Sequence, residues 1–142
     1  MPVRDVSDAI TIVVGYDGSD AAKRGLARAH QLGVTRARVV VVAVRPDVRS
    51  PALGEPLVER TVDAGRLLDE ARGLLASHEH IAVETRGANG DPAEVLVGVA
   101  RELGADVVIV GRRSSDFVAR TLLGSTAERV VRQAPRDVLV VA

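Results

Sequence analysis

The sequence predicts an α/β fold, a doubly wound five-stranded parallel sheet with helices on both faces. Five short runs rich in β-branched residues alternate along the chain with four segments of helical periodicity. Several of these runs are apolar throughout, as expected of parallel strands that are covered on both sides. Because right-handed crossovers place helices on both faces of such a sheet, the alternation predicts one doubly wound layer.

The elements follow one another in a regular order. A strand over residues 10–15 and a helix with an apolar stripe over 22–33 come first, followed by a strand over 37–44 and a second stripe over 58–75. The third strand covers 81–84, and Asp91 is the predicted N-cap of the third helix, with Pro92 at its first position and Gly104 after its last turn. The fourth strand covers 107–111, a helix runs from Ser125 until Pro135 stops it, and the last strand covers 137–141.

Length and composition exclude several classes of protein. A chain of 142 residues suits one domain, over residues 1–142, with a sizeable core. Nineteen basic residues balance nineteen acidic ones, so bulk charge predicts neither a nucleic-acid partner nor a membrane partner. The absence of cysteine excludes disulfides, thiolate metal sites and cysteine catalysis. No apolar run approaches membrane-spanning length and residues 1–5 show no signal region, so we expect a cytoplasmic protein.

The segment from Gly111 to Thr126 is the clearest candidate binding loop. Gly111 ends the fourth predicted strand where the backbone turns away without a Cβ, and Gly124-Ser125-Thr126 opens the next helix. The unpaired N–H groups of that helix N-terminus would point towards the same space and favour an anion. A second interpretation stays open, because Ser125 and Glu128 have the spacing of a capping box, which would satisfy those donors without a ligand.

The loop over residues 15–19 leaves the carboxyl end of the first strand, as the Gly111 loop leaves the fourth. Ligands of doubly wound sheets bind beyond these ends, so the two loops meet in one crevice if strands one and four are neighbours. The sequence contains no G-x-x-x-x-G-K-[ST], and no G-x-G-x-x-G follows the first strand, which excludes the P-loop and Rossmann dinucleotide sites. The single lysine, Lys23, lies in the first predicted helix and clamps no phosphate.

Five stretches carry a more specific pattern: VVGYDGSDAA, GDPAEVLV, ADVVIVGRRSSDF, LLGSTAERVV and APRDVLVVA. Their order, spacing and length resemble those of the universal stress protein family, in its ATP-binding branch, over almost the entire chain. The resemblance implies a strand order of 3-2-1-4-5 and a fold like that of the adenine nucleotide alpha hydrolases. It also implies a cytoplasmic ATP-binding protein of stress response or signalling.

The family's nucleotide motif, G-x2-G-x9-G-[S/T], stands in this chain with serine in place of its second glycine. The resemblance implies that phosphates and ribose would be lined by Gly111, Ser114, Gly124, Ser125 and Thr126. It places Asp17 and Val44, at the ends of the first two strands, by the adenosine, with Asp17 helping to hold Mg²⁺ through water. Serine at 114 tolerates a hinge with positive φ poorly, but its hydroxyl can donate a hydrogen bond to phosphate.

The closing strand, residues 137–141, is expected at one edge of the sheet. An apolar edge strand invites pairing, and members of the resembled family commonly dimerise through it, so we expect a homodimer. Arg112, Arg113 and Arg120 would add charge-assisted contacts to phosphate, unless they are simply solvated. Two alternatives stay open: an interaction module that has lost nucleotide binding, and a slow ATPase, for which the sequence offers only Asp17 and loop residues.

Overall fold

A computed structural model of the chain describes residues 9–33, 36–45, 64–75, 81–112 and 123–142. Strands and helices alternate through these residues, as the sequence predicts. In chain order they are β1 (Ile10–Gly15), α1 (Asp20–Leu32), β2 (Ala37–Arg45), α2 (Ala64–Leu75), β3 (Ile81–Asn89), α3 (Pro92–Leu103), β4 (Val107–Gly111), α4 (Ser125–Gln133) and β5 (Asp137–Val141).

The strands form one parallel sheet with the order β3-β2-β1-β4-β5, which confirms the predicted order. The central strand β1 pairs with β2 on one side, where Gly15 lies opposite Val42, and with β4 on the other, where Val14 lies opposite Ile109. Strands one and four are therefore neighbours. Their carboxyl ends therefore lie side by side at one edge of the sheet.

Successive strand residues point to opposite faces, so the apolar strands supply two separate cores. Ile12 and Val14 pack with α1 and α2 on one face of the sheet. Val13, between them in sequence, packs with α3 and α4 on the other face. All three side chains are fully buried. Strands that are apolar throughout thus have the two helical layers that the pattern predicts.

Strand β3 is longer than the predicted run over residues 81–84. It pairs with β2 along its whole length, from Ile81 opposite Ala37 to Asn89 opposite Arg45. The polar residues beyond the apolar run belong to the strand because β2 satisfies their backbone groups. Side-chain contacts add to the pairing: Arg38 Nη2 donates to Glu84 at 3.0 Å. Apolar patterning alone misses such a polar edge strand.

Helix boundaries follow the predicted capping chemistry in α3. Asp91 Oδ2 accepts the N–H of Glu94 at 3.0 Å, Pro92 is the first helical residue, and Gly104 ends the helix with φ of +60°. In α1, Ser19 Oγ accepts the N–H of Ala22 at 3.1 Å. Helix α2 is described from residue 64 onwards, and the part of its predicted stripe over residues 58–63 lies outside the described residues.

Candidate functional site

The end of β4 and the start of α4 are joined by backbone hydrogen bonds. Arg112, one residue beyond the strand, donates its N–H to the carbonyl of Val141 at 2.7 Å. Its own carbonyl accepts the N–H of Gly124 at 2.8 Å. Two glycines of the predicted motif, Gly111 and Gly124, are therefore brought together although thirteen positions separate them in the sequence. Ser114, the serine in the same motif, lies outside the described residues.

The N-terminus of α4 has no side-chain cap among the described residues. Gly124 is the N-cap, with φ of −66° and ψ of 162°, and Ser125 is already the first helical residue. The predicted capping box of Ser125 with Glu128 is therefore wrong, because an N-cap side chain must precede the helix in order to reach its donors. Glu128 instead accepts a hydrogen bond from Arg132 at 2.7 Å. The N–H groups of the first turn are left for another acceptor.

Asp17 lies where the sequence predicts it, just beyond β1, and its side chain is exposed. Its Oδ1 accepts the N–H of Ser19 at 2.9 Å, which is the turn that leads into α1. Gly18, between these two residues, has φ of +80°, in the region that favours glycine. The first loop is therefore held in shape by its own side chains, and Asp17 has a structural contact as well as a position at the carboxyl edge.

The remaining predicted residues lie at the same edge of the sheet. Val44, near the end of β2, is half-buried and packs against the core beneath α3 and α4. Ser125 is exposed and Thr126 is half-buried, both in the first turn of α4. The edge thus offers an aliphatic wall on β2 and hydroxyl groups on α4. Hydroxyls and backbone N–H groups can donate to a phosphate, whereas an aliphatic wall suits the flat face of a base.

Arg112 adds a cationic group beside α4. Its side chain is half-buried, and its Nε is buried without a hydrogen-bond partner in the described part of the chain. A buried N–H of a guanidinium requires an acceptor, and the neighbouring helix N-terminus also attracts negative charge. The residues present at this edge therefore fit an anionic group such as the phosphate of a nucleotide.

Helix α2 contacts the first loop through Tyr16, which is 2% exposed and follows β1 directly. The Tyr16 hydroxyl donates to the carboxylate of Glu70, which also lies 3.8 Å from Lys23 Nζ. Burial, the hydrogen bond to Glu70 and the charges of Glu70 and Asp17 raise the pKa of the Tyr16 phenol well above its ordinary value. No sequence signal points to this contact, because 54 positions separate the two partners.

Neither a metal cluster nor a membrane helix is found in the described ranges. No group of three or more histidine, aspartate or glutamate side chains there is arranged to hold a metal ion. None of the described helices has the length and apolar character needed to cross a membrane.

A family profile decides the affiliation of the chain. The profile of the Universal stress protein family matches residues 10–142. The chain belongs to this family. Its relatives include a universal stress protein of Mycobacterium tuberculosis strain H37Rv, 33% identical over 138 residues, with 92% of this chain and 94% of the relative covered. The resemblance inferred from the sequence motifs is thereby confirmed.

Solved structures of universal stress proteins have the same fold as this family member. The structure of UspA from Lactobacillus plantarum superimposes with a TM-score of 0.77 at 26% identity, covering 94% of this chain and 97% of that one. A universal stress protein in complex with cAMP gives a TM-score of 0.73 at 29% identity, again covering 94% and 97%. The predicted α/β fold is therefore confirmed, and at least one structural relative binds an adenine nucleotide.

Proposed function

We propose that this universal stress protein binds an adenine nucleotide at the carboxyl edge of its sheet, and that this nucleotide is ATP. The observation that carries the proposal is the uncapped N-terminus of α4, hydrogen-bonded through Gly124 to the end of β4. Ser19 caps α1 and Asp91 caps α3, whereas the donors at the start of α4 need an acceptor of another kind. The relative that binds cAMP supports a nucleotide in that role.

The proposed binding residues divide by position. Phosphates and ribose would be held by Gly111, Ser114, Gly124, Ser125 and Thr126, and the adenosine by Asp17 and Val44. The first-turn N–H groups of α4 donate to phosphate oxygens, while the helix dipole favours their charge. The carboxylate of Asp17 provides a place for Mg²⁺ held through water. The phosphate groups of a bound nucleotide carry several negative charges, so they need a site that is rich in hydrogen-bond donors.

The proposed role is stress signalling in the cytoplasm, in which nucleotide occupancy biases the choice of partner. The alternative role, an interaction module without nucleotide, rested on Ser114 and on a capped α4. The second of these supports is gone, because Gly124 is the N-cap of α4 and no side chain among the described residues caps that helix. The nucleotide-binding role is therefore the better supported of the two.

A calorimetric titration with Mg-ATP tests the proposal, after removal of any co-purified nucleotide and with AMP and cAMP titrated in parallel. We expect micromolar binding by the wild type and its loss in Gly124→Asp, which places a carboxylate at the N-cap of α4. The matched control is Gly98→Asp, because Gly98 is exposed on α3 and no atom lies within 4 Å of an added Cβ. If the Gly124→Asp variant still binds the nucleotide, the phosphates do not bind at the N-terminus of α4.

The serine at position 114 provides a second arm of the same titration. If the wild type binds no adenine nucleotide while Ser114→Gly does, the protein is a family member that has lost its ligand and acts through protein contacts. If neither binds, the nucleotide proposal fails altogether. Wild-type binding that Ser114→Gly leaves unchanged would show that serine serves at this position as well as glycine.

We also propose a homodimer that pairs through β5. This strand is at one edge of the sheet and has β4 as its only neighbour within the described residues. Its residues Val138, Leu139 and Val140 are half-buried, so they leave apolar surface for a second copy to cover. Light scattering at micromolar concentration measures the mass directly. A dimeric mass supports the proposal, and a monomeric mass overturns it.

A further inference from the structure

Helix α2 contacts the first loop through two of its side chains. The Tyr16 hydroxyl donates a hydrogen bond to Glu70. Leu67 lies so close to Gly18 that a Cβ added to this glycine would be 2.9 Å from Leu67 Cδ2. Positions 67 and 70 are three residues apart on the helix and therefore share one of its faces. Between these two contacts, the loop carries Asp17, which the proposed function places beside the adenosine.

The sequence of α2 gives this helix little stability of its own. It contains two glycines, Gly65 and Gly73, whereas α1 and α3 contain one each and α4 contains none. Glycine is one of the least favourable residues inside a helix, and no atom lies within 4 Å of a Cβ added to Gly73. The helix therefore depends on its packed face, on which Ala71 and Leu75 are buried. Among the described helices, we expect α2 to open first.

The packed position of α2 supports one shape of the first loop. In this shape Tyr16 is 2% exposed, Gly18 has φ of +80°, and Asp17 accepts the N–H of Ser19. When α2 opens, the Tyr16 hydroxyl loses its acceptor and its ring loses part of its cover, so the loop loses this support. A ligand that contacts Asp17 in the supported loop therefore favours the packed position of α2.

We infer that α2 responds to nucleotide occupancy, because it opens from the sheet more often in the nucleotide-free protein than in the nucleotide-bound protein. This inference rests on the proposed function, since it assigns a conformational response to the same site. Each opening of α2 uncovers apolar side chains of its packed face, which are Leu67, Leu68, Ala71 and Leu75. Nucleotide binding thus controls how often this apolar surface reaches solvent.

Hydrogen–deuterium exchange of residues 64–75, followed by mass spectrometry with and without Mg-ATP, tests the coupling. A ligand that binds only the packed state stabilises that state by mass action. At about 100 times the Kd measured by calorimetry, we expect exchange in α2 to slow at least about 10-fold. Unchanged exchange in α2, with Mg-ATP bound, would overturn the inference.

A matched pair of variants decides whether α2 opens while the rest of the chain stays folded. Gly73 on α2 and Gly98 on α3 are both exposed, with no atom within 4 Å of an added Cβ. In the nucleotide-free protein, Gly73→Ala should slow exchange in α2 about 2- to 5-fold, and Gly98→Ala should leave it at the wild-type rate. If both variants slow α2 equally, α2 exchanges only through unfolding of the whole chain and the inference is wrong.

A third variant tests the contact with the first loop. Tyr16→Phe removes the hydroxyl that donates to Glu70, so it should speed exchange in α2 about 2- to 10-fold without nucleotide. An unchanged rate would mean that the loop does not hold the helix, which also overturns the inference.

Calorimetry on the same samples separates this inference from the proposed function. If Mg-ATP binds and exchange in α2 does not slow, the inference alone fails. If Mg-ATP does not bind, the coupling fails together with the proposed function.

Discussion

Arg129 of α4 donates to Asp91 Oδ1 at 2.7 Å, while Oδ2 of the same carboxylate caps α3 by accepting the N–H of Glu94. One side chain therefore serves as helix cap and as ion-pair partner of the neighbouring helix. Both partners are partly exposed, at 40% for Arg129 and 38% for Asp91, so solvent weakens the attraction of the charges. The contact fixes the start of α3 against the first turns of α4, beside the proposed phosphate site.

Asp91→Ala should lower the free energy of unfolding by about 1–2 kcal/mol, mostly because the cap is lost. Asp91→Asn keeps an oxygen that caps α3 and loses only the charge, so its cost should stay below about 1 kcal/mol. Urea unfolding of both variants measures the difference. Equal losses for the two would show that the ion pair with Arg129, and not the cap, dominates at Asp91.

Tyr16→Phe keeps an aromatic ring in the core and removes the hydroxyl that donates to Glu70. We expect a loss of about 0.5–1.5 kcal/mol in urea unfolding. Glu70→Gln, which keeps an acceptor for the hydroxyl, serves as the control and should cost less. A Tyr16→Phe variant as stable as the wild type would contradict a stabilising role for this hydrogen bond.

The raised pKa of Tyr16 predicts how stability changes in alkali. The native state holds the phenol proton more tightly than the unfolded state, whose pKa is about 10. The contribution of this proton to the free energy of unfolding is therefore complete below the pKa of the unfolded state, and it decreases as the pH rises towards the native pKa. Tyr16 is the only tyrosine, so tyrosinate absorbance reports on it alone. A native titration near pH 10, with the protein still folded, would contradict the raised pKa.

Substitution by alanine should have opposite effects on the free energy of unfolding at Gly18 and at Gly98. Gly18 has φ of +80°, and an added Cβ would lie 2.9 Å from Leu67 Cδ2, so Gly18→Ala should cost about 1–2 kcal/mol. Gly98 is exposed within α3 with no atom within 4 Å of an added Cβ, so Gly98→Ala should stabilise by about 0.5–1 kcal/mol. Urea unfolding checks both. A neutral Gly18→Ala would mean that the first loop tolerates another backbone conformation.

Local chemistry is what the sequence predicts well in this fold. The strands β1 and β4 have their predicted bounds, because burial on both faces requires a continuous run of apolar residues. The helix α3 also has its predicted bounds, because its Asp-Pro start is visible in adjacent residues of the sequence. The polar half of β3 was missed, since only its pairing with β2 makes it a strand. Strand neighbours and helix layers follow from the alternation and from the family resemblance.

Contacts between distant residues account for what the sequence does not predict at the site. The Ser125–Glu128 spacing suggested a cap, but the bond from Gly124 to Arg112 places the glycine at the N-cap and moves Ser125 into the helix. Arg129 and Asp91 lie 38 positions apart, so neither predicts the other. Arg112 was recognisable as a charge near the motif, but the burial of its Nε is a property of the folded chain.

Gly124→Ser tests whether the donors of α4 are kept for a ligand. Gly124 has an extended backbone that any residue adopts, and serine there would accept an N–H from the first turn. We expect the ligand-free melting temperature to stay level or to rise, because serine caps a helix slightly better than glycine. The rise in melting temperature on adding Mg-ATP should shrink, since the hydroxyl competes for the donors that the phosphate would use. An unchanged ligand-dependent rise would mean that phosphate does not bind these N–H groups. Ser125→Ala, which alters the first helical residue without supplying a cap, separates loss of a hydroxyl from competition at the N-cap.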